Sequence, residues 1–258
     1  MLELPYLEIF AENFDKKFKN RVLQKVEVSS KKSINVSIAE LKESLEDQEV
    51  KKVFRRGLTL CLQFKNHTVL EMHVTSRAEL LVLEGEKASS ALLDLHFSGG
   101  QILSVRDSLK RSTFFLNPVQ VSSTDVLSKE MTAEYLKGVF LNNTRQIRDV
   151  LLDQNVIGGL DEAYADEILW YAEISPFSIA GSIPLEEIKV LRRTMKYVLL
   201  DAIKQIKRVN FGAAHFVKPD LLMIHHAEKK KSPTGQNIRV KVVAGARIYY
   251  TDEQKLFV

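Results

Sequence analysis

The chain has 258 residues, 45% of them hydrophobic and 27% charged, with a formal net charge of +4. That is enough for one large domain or two modest ones with a real core, and the mild basic excess argues only weakly for a polyanionic partner. The single cysteine, Cys61, rules out an internal disulfide and a cysteine-rich zinc site. No apolar run reaches the ~18 residues of a membrane span, and "MLELPYLEIF" carries acid where an export signal carries base, so a cytoplasmic location is expected, nucleoid-associated in a bacterium.

In chain order, Leu7, Phe10, Phe14 and Phe18 recur at helical spacing and predict an amphipathic helix over 5–19, opened near Pro5. Residues 21–37 read as strand, turn, strand, and "IAELKESLEDQEVKKVF" as a helix or long turn. Short apolar runs follow: "GLTLCLQF", "HTVLEMHV", "ELLVLEGE", "ALLDLHFS" and "QILSVRD". Strands at such close spacing predict an antiparallel sandwich or barrel. The polar stretch 117–128 reads as a domain border. Beyond it, "TAEYLKGVFLNNTRQIRDVLLDQ" places Leu136, Phe140, Ile147 and Leu151 on one helical side. A long helix starts near Pro184, with Ser182 as its expected cap, acids in its first turn and bases in its last. "IRVKVVAGARIYYTDEQ" alternates like a hairpin turned at Ala244-Gly245.

Base gathers in the last third, at Lys189, Arg192, Arg193, Lys196, Lys204, Lys207 and Arg208, and again at Lys229, Lys230, Lys231, Arg239, Lys241 and Arg247. A phosphate-contacting surface needs such clusters, though a solvated helix face and a lysine-rich loop produce the same pattern. His225 and His226, if on a strand, point to opposite faces and cannot share a metal. Trp170 and Tyr171 read as packing residues. No Gly-rich phosphate loop or Ser-His-Asp arrangement is present.

The segment "TAEYLKGVFLNNTRQIRDVLLDQNVIGGLDEAYADEILWYAEISPF" resembles the helix–two-turn–helix element of the formamidopyrimidine-DNA glycosylase and endonuclease VIII family. "MLELPYLE" resembles that family's opening, and "FRRGLTLCL", "MHVTSRAEL" and "DLHFSGGQILSVRDSLKR" follow in the family's order. The C-terminal "GQNIRVKVVAGARIYYTDEQ" resembles its finger hairpin. The resemblance implies an α+β protein: an N-terminal β-sandwich with flanking helices over 1–120, a linker at 121–128, a helix–two-turn–helix domain over 129–212 and a zincless β-hairpin finger over 213–258. Its implied partner is double-stranded DNA with a damaged base or abasic site, bound by a monomer without metal or other cofactor. Gly158 and Gly159 would let the chain reverse between two helices, with N–H groups of the second helix facing a phosphate. Lesion choice is expected to depend on the loops around 73–79 and 209–235.

The family's chemistry uses the amine of an N-terminal proline, which attacks the sugar C1′, forms a Schiff base and leads to strand cleavage. Here Leu2 stands at that position. Glu3 matches the acid/base carboxylate, and the amine of Met1 or of a nearby lysine is the remaining candidate nucleophile. Alternatively, a carboxylate-activated water would cut the glycosidic bond with no lyase step. Tyr6 replaces a second glutamate, Leu58 a phosphate-reaching lysine, and Asp161-Glu162 a Gly-Asn pair whose asparagine donates to phosphate. A carboxylate cannot donate there and repels phosphate. "KSPTGQ" and "YTDEQ" carry none of the finger cysteines. Arg247 matches the finger arginine that grips phosphate, His73 a phosphate-contacting histidine, and Lys110 and Arg111 lie in the loop expected to probe the gap of a flipped base. Two readings therefore stand: a glycosylase or abasic-site lyase with altered machinery, and a non-catalytic binder of DNA or of a protein on the same scaffold.

Overall fold

The computed structural model describes residues 2–85, 90–119, 122–210 and 216–258. The chain divides into two compact units, one of Met1–Leu2 and Tyr6–Gln120, the other of Glu3–Pro5 and Val121–Val258.

Helix α1 (Leu4–Phe18), which belongs to the first unit from Tyr6 onward, carries Phe10, Phe14 and Phe18 on one buried stripe. Their rings stack edge to tilted at 5.6 and 5.8 Å, and Phe18 meets Phe97 at 4.4 Å. This aromatic ladder ties the helix to the sheet. Strand β1 (Val22–Val28) follows, but the second strand expected by residue 37 does not form. Instead the Ser30 hydroxyl accepts from Lys32 N–H and starts a 3-10 turn, leaving Ile34 only an isolated bridge to Phe114. Helix α2 (Ile38–Leu45) is capped by Ser37, whose side chain accepts from Glu40 N–H at 3.1 Å. It stops before Asp47, at φ 62°, and the rest of the expected helix or turn is strand β2 (Gln48–Arg56).

Strands β3 (Thr59–Phe64), β4 (Val69–His73), β5 (Glu79–Glu84), β6 (Ala91–Phe97), β7 (Gln101–Arg106) and β8 (Thr113–Leu116) complete the unit. Their order is β5-β7-β6-β1-β2-β3-β4-β8, antiparallel throughout. Only Val22↔Glu49 and Leu23↔Gln48 join β1 to β2, so the sheet is two four-stranded halves hinged at one short seam.

In the second unit, the stretch expected as a border is pinned. Strand β9 (Thr124–Asp125) pairs in parallel with β10 (Ile157–Gly158), and Val126 is buried. The single helix expected over 132–154 is two, α3 (Ala133–Phe140) and α4 (Ile147–Leu152). Asn142 turns the chain at φ 56°, and Ile147 N–H and Gly181 N–H bond to Ser178 and Asn143 carbonyls across the break. Thr132 caps α3 through Tyr135 N–H. Helix α5 (Glu162–Tyr171) and the 26-residue α6 (Leu185–Asn210) pack with α3 around Leu136, Phe140, Ile168, Leu191, Met195 and Leu199. Pro184, not Ser182, directly precedes α6 and accepts from Ile188 N–H, while Ser182 sits in a separate 3-10 turn. Strands β11 (Arg239–Val243) and β12 (Ala246–Tyr250) form the expected hairpin. Ala244 and Gly245, at φ 48° and 85°, supply the two positive-φ positions of its tight turn.

Candidate nucleic-acid-binding site

In the second unit, the "GG" turn divides its labour. Gly158 is a strand residue bridging to Asp125, whereas Gly159 alone takes φ 104°, and its N–H donates to the Gln154 side chain at 2.9 Å. A side chain at residue 159 would be strained in that left-handed region. The first turn of α5 is not open to a ligand in the way the sequence suggests. Asp161 caps it, accepting from Tyr164 N–H at 2.9 Å. Burial pushes the Asp161 carboxyl up to about 6, with the charge of Glu3 adding to the rise and the Tyr164 N–H opposing it. Burial likewise raises Glu3, against the pull of Lys218 and His225. Both of these carboxyl groups therefore titrate above their ordinary range.

Beside them a groove of about 580 Å³ is lined by Glu162, His225, Ala244, Gly245, Ala246, Arg247 and Tyr249. Arg247 is exposed and makes no hydrogen bond or ion pair among the described residues. A guanidinium held over a groove with no internal partner is a fork of donors available to phosphate. Glu162, exposed at the same groove, opposes it.

The hairpin's attachment is built from consecutive acids of α5 that the sequence reading missed. Asp166 accepts from Arg148 Nε at 2.6 Å, from His225 Nδ1 at 2.8 Å and from Tyr249 N–H at 2.9 Å. Glu167 accepts from the N–H groups of Met223, Ile224 and His225 at 2.8–2.9 Å. Burial dominates over those three bonds and raises the Glu167 carboxyl. Trp170, Ile224 and Tyr249 pack together beneath. In this cysteine-free region, Thr234 Oγ1, Thr251 Oγ1 and Trp170 Nε1 donate to one Glu253 oxygen at 2.8–3.2 Å. His225 lies in a loop rather than on a strand, so the face argument against a shared metal had the wrong premise; its Nδ1 is engaged by Asp166 instead.

The basic clusters are only partly available. Lys189 pairs with Glu186, Lys229 with Asp220 and Arg239 with Asp252, and Arg192 Nε donates to the Met131 carbonyl. Such internal pairing leaves fewer cations for phosphate than the sequence count suggests.

In the first unit, Leu2 is 1% exposed and its N–H donates to the Val74 carbonyl at 2.9 Å. Met1 lies outside the described residues. His73 is half-buried, its Nε2 held by Glu71 at 2.8 Å and its ring edge-on to Phe115. Burial opposes ionisation of Glu71, but His73, Arg56 and Cys61 together hold its carboxyl below the usual range. Leu58 is buried. Burial pushes the Cys61 thiol up to about 12, with Glu71 adding to the rise, so no thiolate nucleophile exists there.

The loop carrying Lys110 and Arg111 is organised by Asp107, another residue the sequence did not single out. Its carboxylate accepts from Leu109, Arg111 and Ser112 N–H and from the Ser112 hydroxyl at 2.8–3.0 Å. Burial opposes its ionisation, yet these donors outweigh that and hold Asp107 below the usual range. Lys110, at φ 52°, and Arg111 are exposed, and Leu109 stands 44% exposed at the tip. A preordered loop with one apolar and two basic tips fits insertion at a distorted base step.

Residues 1–114 match the formamidopyrimidine-DNA glycosylase N-terminal domain, and residues 123–211 the formamidopyrimidine-DNA glycosylase H2TH domain. The chain is similar to a formamidopyrimidine-DNA glycosylase of Carboxydothermus hydrogenoformans, 30% identical over 204 residues, covering 77% of this chain and 76% of that one. It is 27% identical to that of Pelotomaculum thermopropionicum, covering 97% of each. Its fold matches that of Lactococcus lactis formamidopyrimidine-DNA glycosylase, solved non-covalently bound to AP-site DNA, with TM-score 0.82, 20% identity and coverage of 96% and 97%. The same enzyme in complex with FAPY-dG DNA gives TM-score 0.84 at 20% identity, with coverage of 96% and 98%. With both domain families matched in order along the chain, this protein belongs to the formamidopyrimidine-DNA glycosylase family.

Proposed function

We propose that this protein binds duplex DNA at an abasic or damaged-base site and does so without Schiff-base chemistry at residue 2. The observation that carries the binding reading is Arg247, an exposed guanidinium without a partner among the described residues, over the groove at the start of α5. The preordered loop with Leu109, Lys110 and Arg111 supports it. The hairpin serves as a zincless finger, held by Asp166, Glu167 and Glu253 instead of metal. Against the lyase step stands Leu2: its nitrogen is a peptide N–H spent on Val74, with its side chain buried. His73 contributes less than its place in the motif suggests, because Glu71 already holds its ring nitrogen.

A second reading has its own support. Glu3, raised by burial, has the character of a general acid or base, which suits hydrolysis of a glycosidic bond by water without a covalent amine intermediate. The test of the binding reading is native-gel retardation of a duplex with a central abasic site against an undamaged duplex, at low salt. Preferential retardation that Arg247→Ala weakens supports it; equal or absent retardation of both duplexes refutes it.

A further inference from the structure

On the N-terminal sheet, the residues of β1 and β6 that face away from α1 form a polar group that plays no part in the proposed DNA site. Glu27 lies directly opposite Asp94, and Lys25 opposite His96. The alternating positions, Val26, Leu93 and Leu95, are buried in the core. Glu27, Asp94 and His96 thus share one face, and each offers a ligand atom within 4.8 Å of the others. On β7, Ser104 is paired with Asp94 and fully buried.

Three atoms of this face, on Asp94, His96 and Ser104, lack hydrogen-bond partners among the described residues. Asp94 is 5% exposed, yet its Oδ1 has no hydrogen-bond partner among the described residues. His96 Nε2 and Ser104 Oγ are likewise buried without one. His96 Nε2 reaches only 3.4 Å from Glu27 Oε2. Lys25 is bound to the other Glu27 oxygen at 2.6 Å. Burying a carboxylate oxygen without a donor is costly, and such atoms are normally hydrogen-bonded or coordinate a metal.

We propose that Glu27, Asp94 and His96 bind one borderline divalent cation, of the zinc type, that staples β1 to β6. One imidazole with two carboxylates suits zinc better than calcium or magnesium, which favour all-oxygen shells. Ligand atoms around tetrahedral zinc, at about 2.0–2.2 Å from the metal, stand on the order of 3.4 Å apart. Side-chain adjustments of roughly an ångström close the present spacing to that value. The fourth position is left to water. Binding uses the lone pair of His96 Nε2, with the ring proton on Nδ1.

The experiment uses the full chain, stripped with a chelator, and titrates Zn²⁺ by calorimetry, with Co²⁺ absorption as an independent readout. The proposal expects one strong site per chain, a tetrahedral Co²⁺ spectrum, and a drop in affinity of roughly a hundredfold in His96→Gln and in Glu27→Gln. Glu27 is half-exposed, so its variant tests the site even if changes at Asp94 prevent folding. Zinc should also raise the unfolding midpoint of the native chain but not of Glu27→Gln. Absence of a stoichiometric site overturns the proposal, as does a site that both variants leave intact.

Discussion

Arg148 Nε and Asp166 Oδ1 meet at 2.6 Å with side chains only 4% and 0% exposed. The same carboxylate takes His225 and the Tyr249 N–H, so one buried acid joins α4, α5 and both ends of the hairpin region. Removing its charge strands the guanidinium in the interior. Asp166→Asn is expected to lower stability by about 3–5 kcal/mol. Chemical unfolding followed by Trp170 fluorescence checks this, since Trp170 packs against Ile224 and Tyr249.

Asp161 gives a stability effect of opposite sign. Its folded value of about 6 lies above the ordinary 3.8, so the folded state binds the proton more tightly than the unfolded one. Stability is therefore lost as pH rises through the window between those values, and the penalty is complete above it. Asparagine caps helices as well as aspartate but carries no charge to desolvate. Asp161→Asn is expected to stabilise the protein by about 1–2 kcal/mol at pH 8. The gain should shrink as pH falls below about 6 and vanish near pH 4. Melting curves across that range decide it.

At the groove, Glu162 and Arg247 act against each other. Arg247→Ala should weaken duplex binding roughly tenfold and reduce the salt slope by about 1. Glu162→Asn should strengthen binding several-fold by removing a repelling charge and supplying a donor. Binding isotherms at several salt concentrations measure both. An unchanged affinity in both variants would place the phosphate contact elsewhere.

Most of the element order was legible because it rests on local signals: the phenylalanine stripe of α1, the alternating runs of β3–β7, the Ala244-Gly245 turn. The errors fell where side chains compete with backbone pairing. Ser30 diverts the chain from a second strand, and Asn142 breaks a helix that apolar spacing alone carries through. The motifs point to Arg247, Lys110 and Arg111, which the structure leaves exposed. Asp107, Asp166 and Glu167 could not, because their importance comes from donors that are distant or invisible in the sequence pattern. Asp166 is bonded to Tyr249, and Glu167 to Ile224, across 83 and 57 positions.

Asp107 makes the probing loop testable apart from its tips. Its folded value lies below the ordinary 3.8, so the stability it contributes is present above that value and is lost as pH falls through the folded one. Asp107→Ala removes the acceptor for Leu109, Arg111 and Ser112. The expected cost is about 1–3 kcal/mol, with a loss of preference for abasic over intact duplex at pH 7. Competition binding between the two duplexes reads the second effect, and a retained preference would show that loop order is not what discriminates.

On the proposed function, DNA binding survives while amine chemistry at the N-terminus does not. The most direct measurement incubates the protein with a labelled abasic-site duplex, with and without borohydride, and resolves it on native and denaturing gels. The expected result is retardation on the native gel and neither a trapped covalent band nor strand cleavage on the denaturing one. A borohydride-dependent covalent band would contradict it and place a working amine nucleophile in this chain.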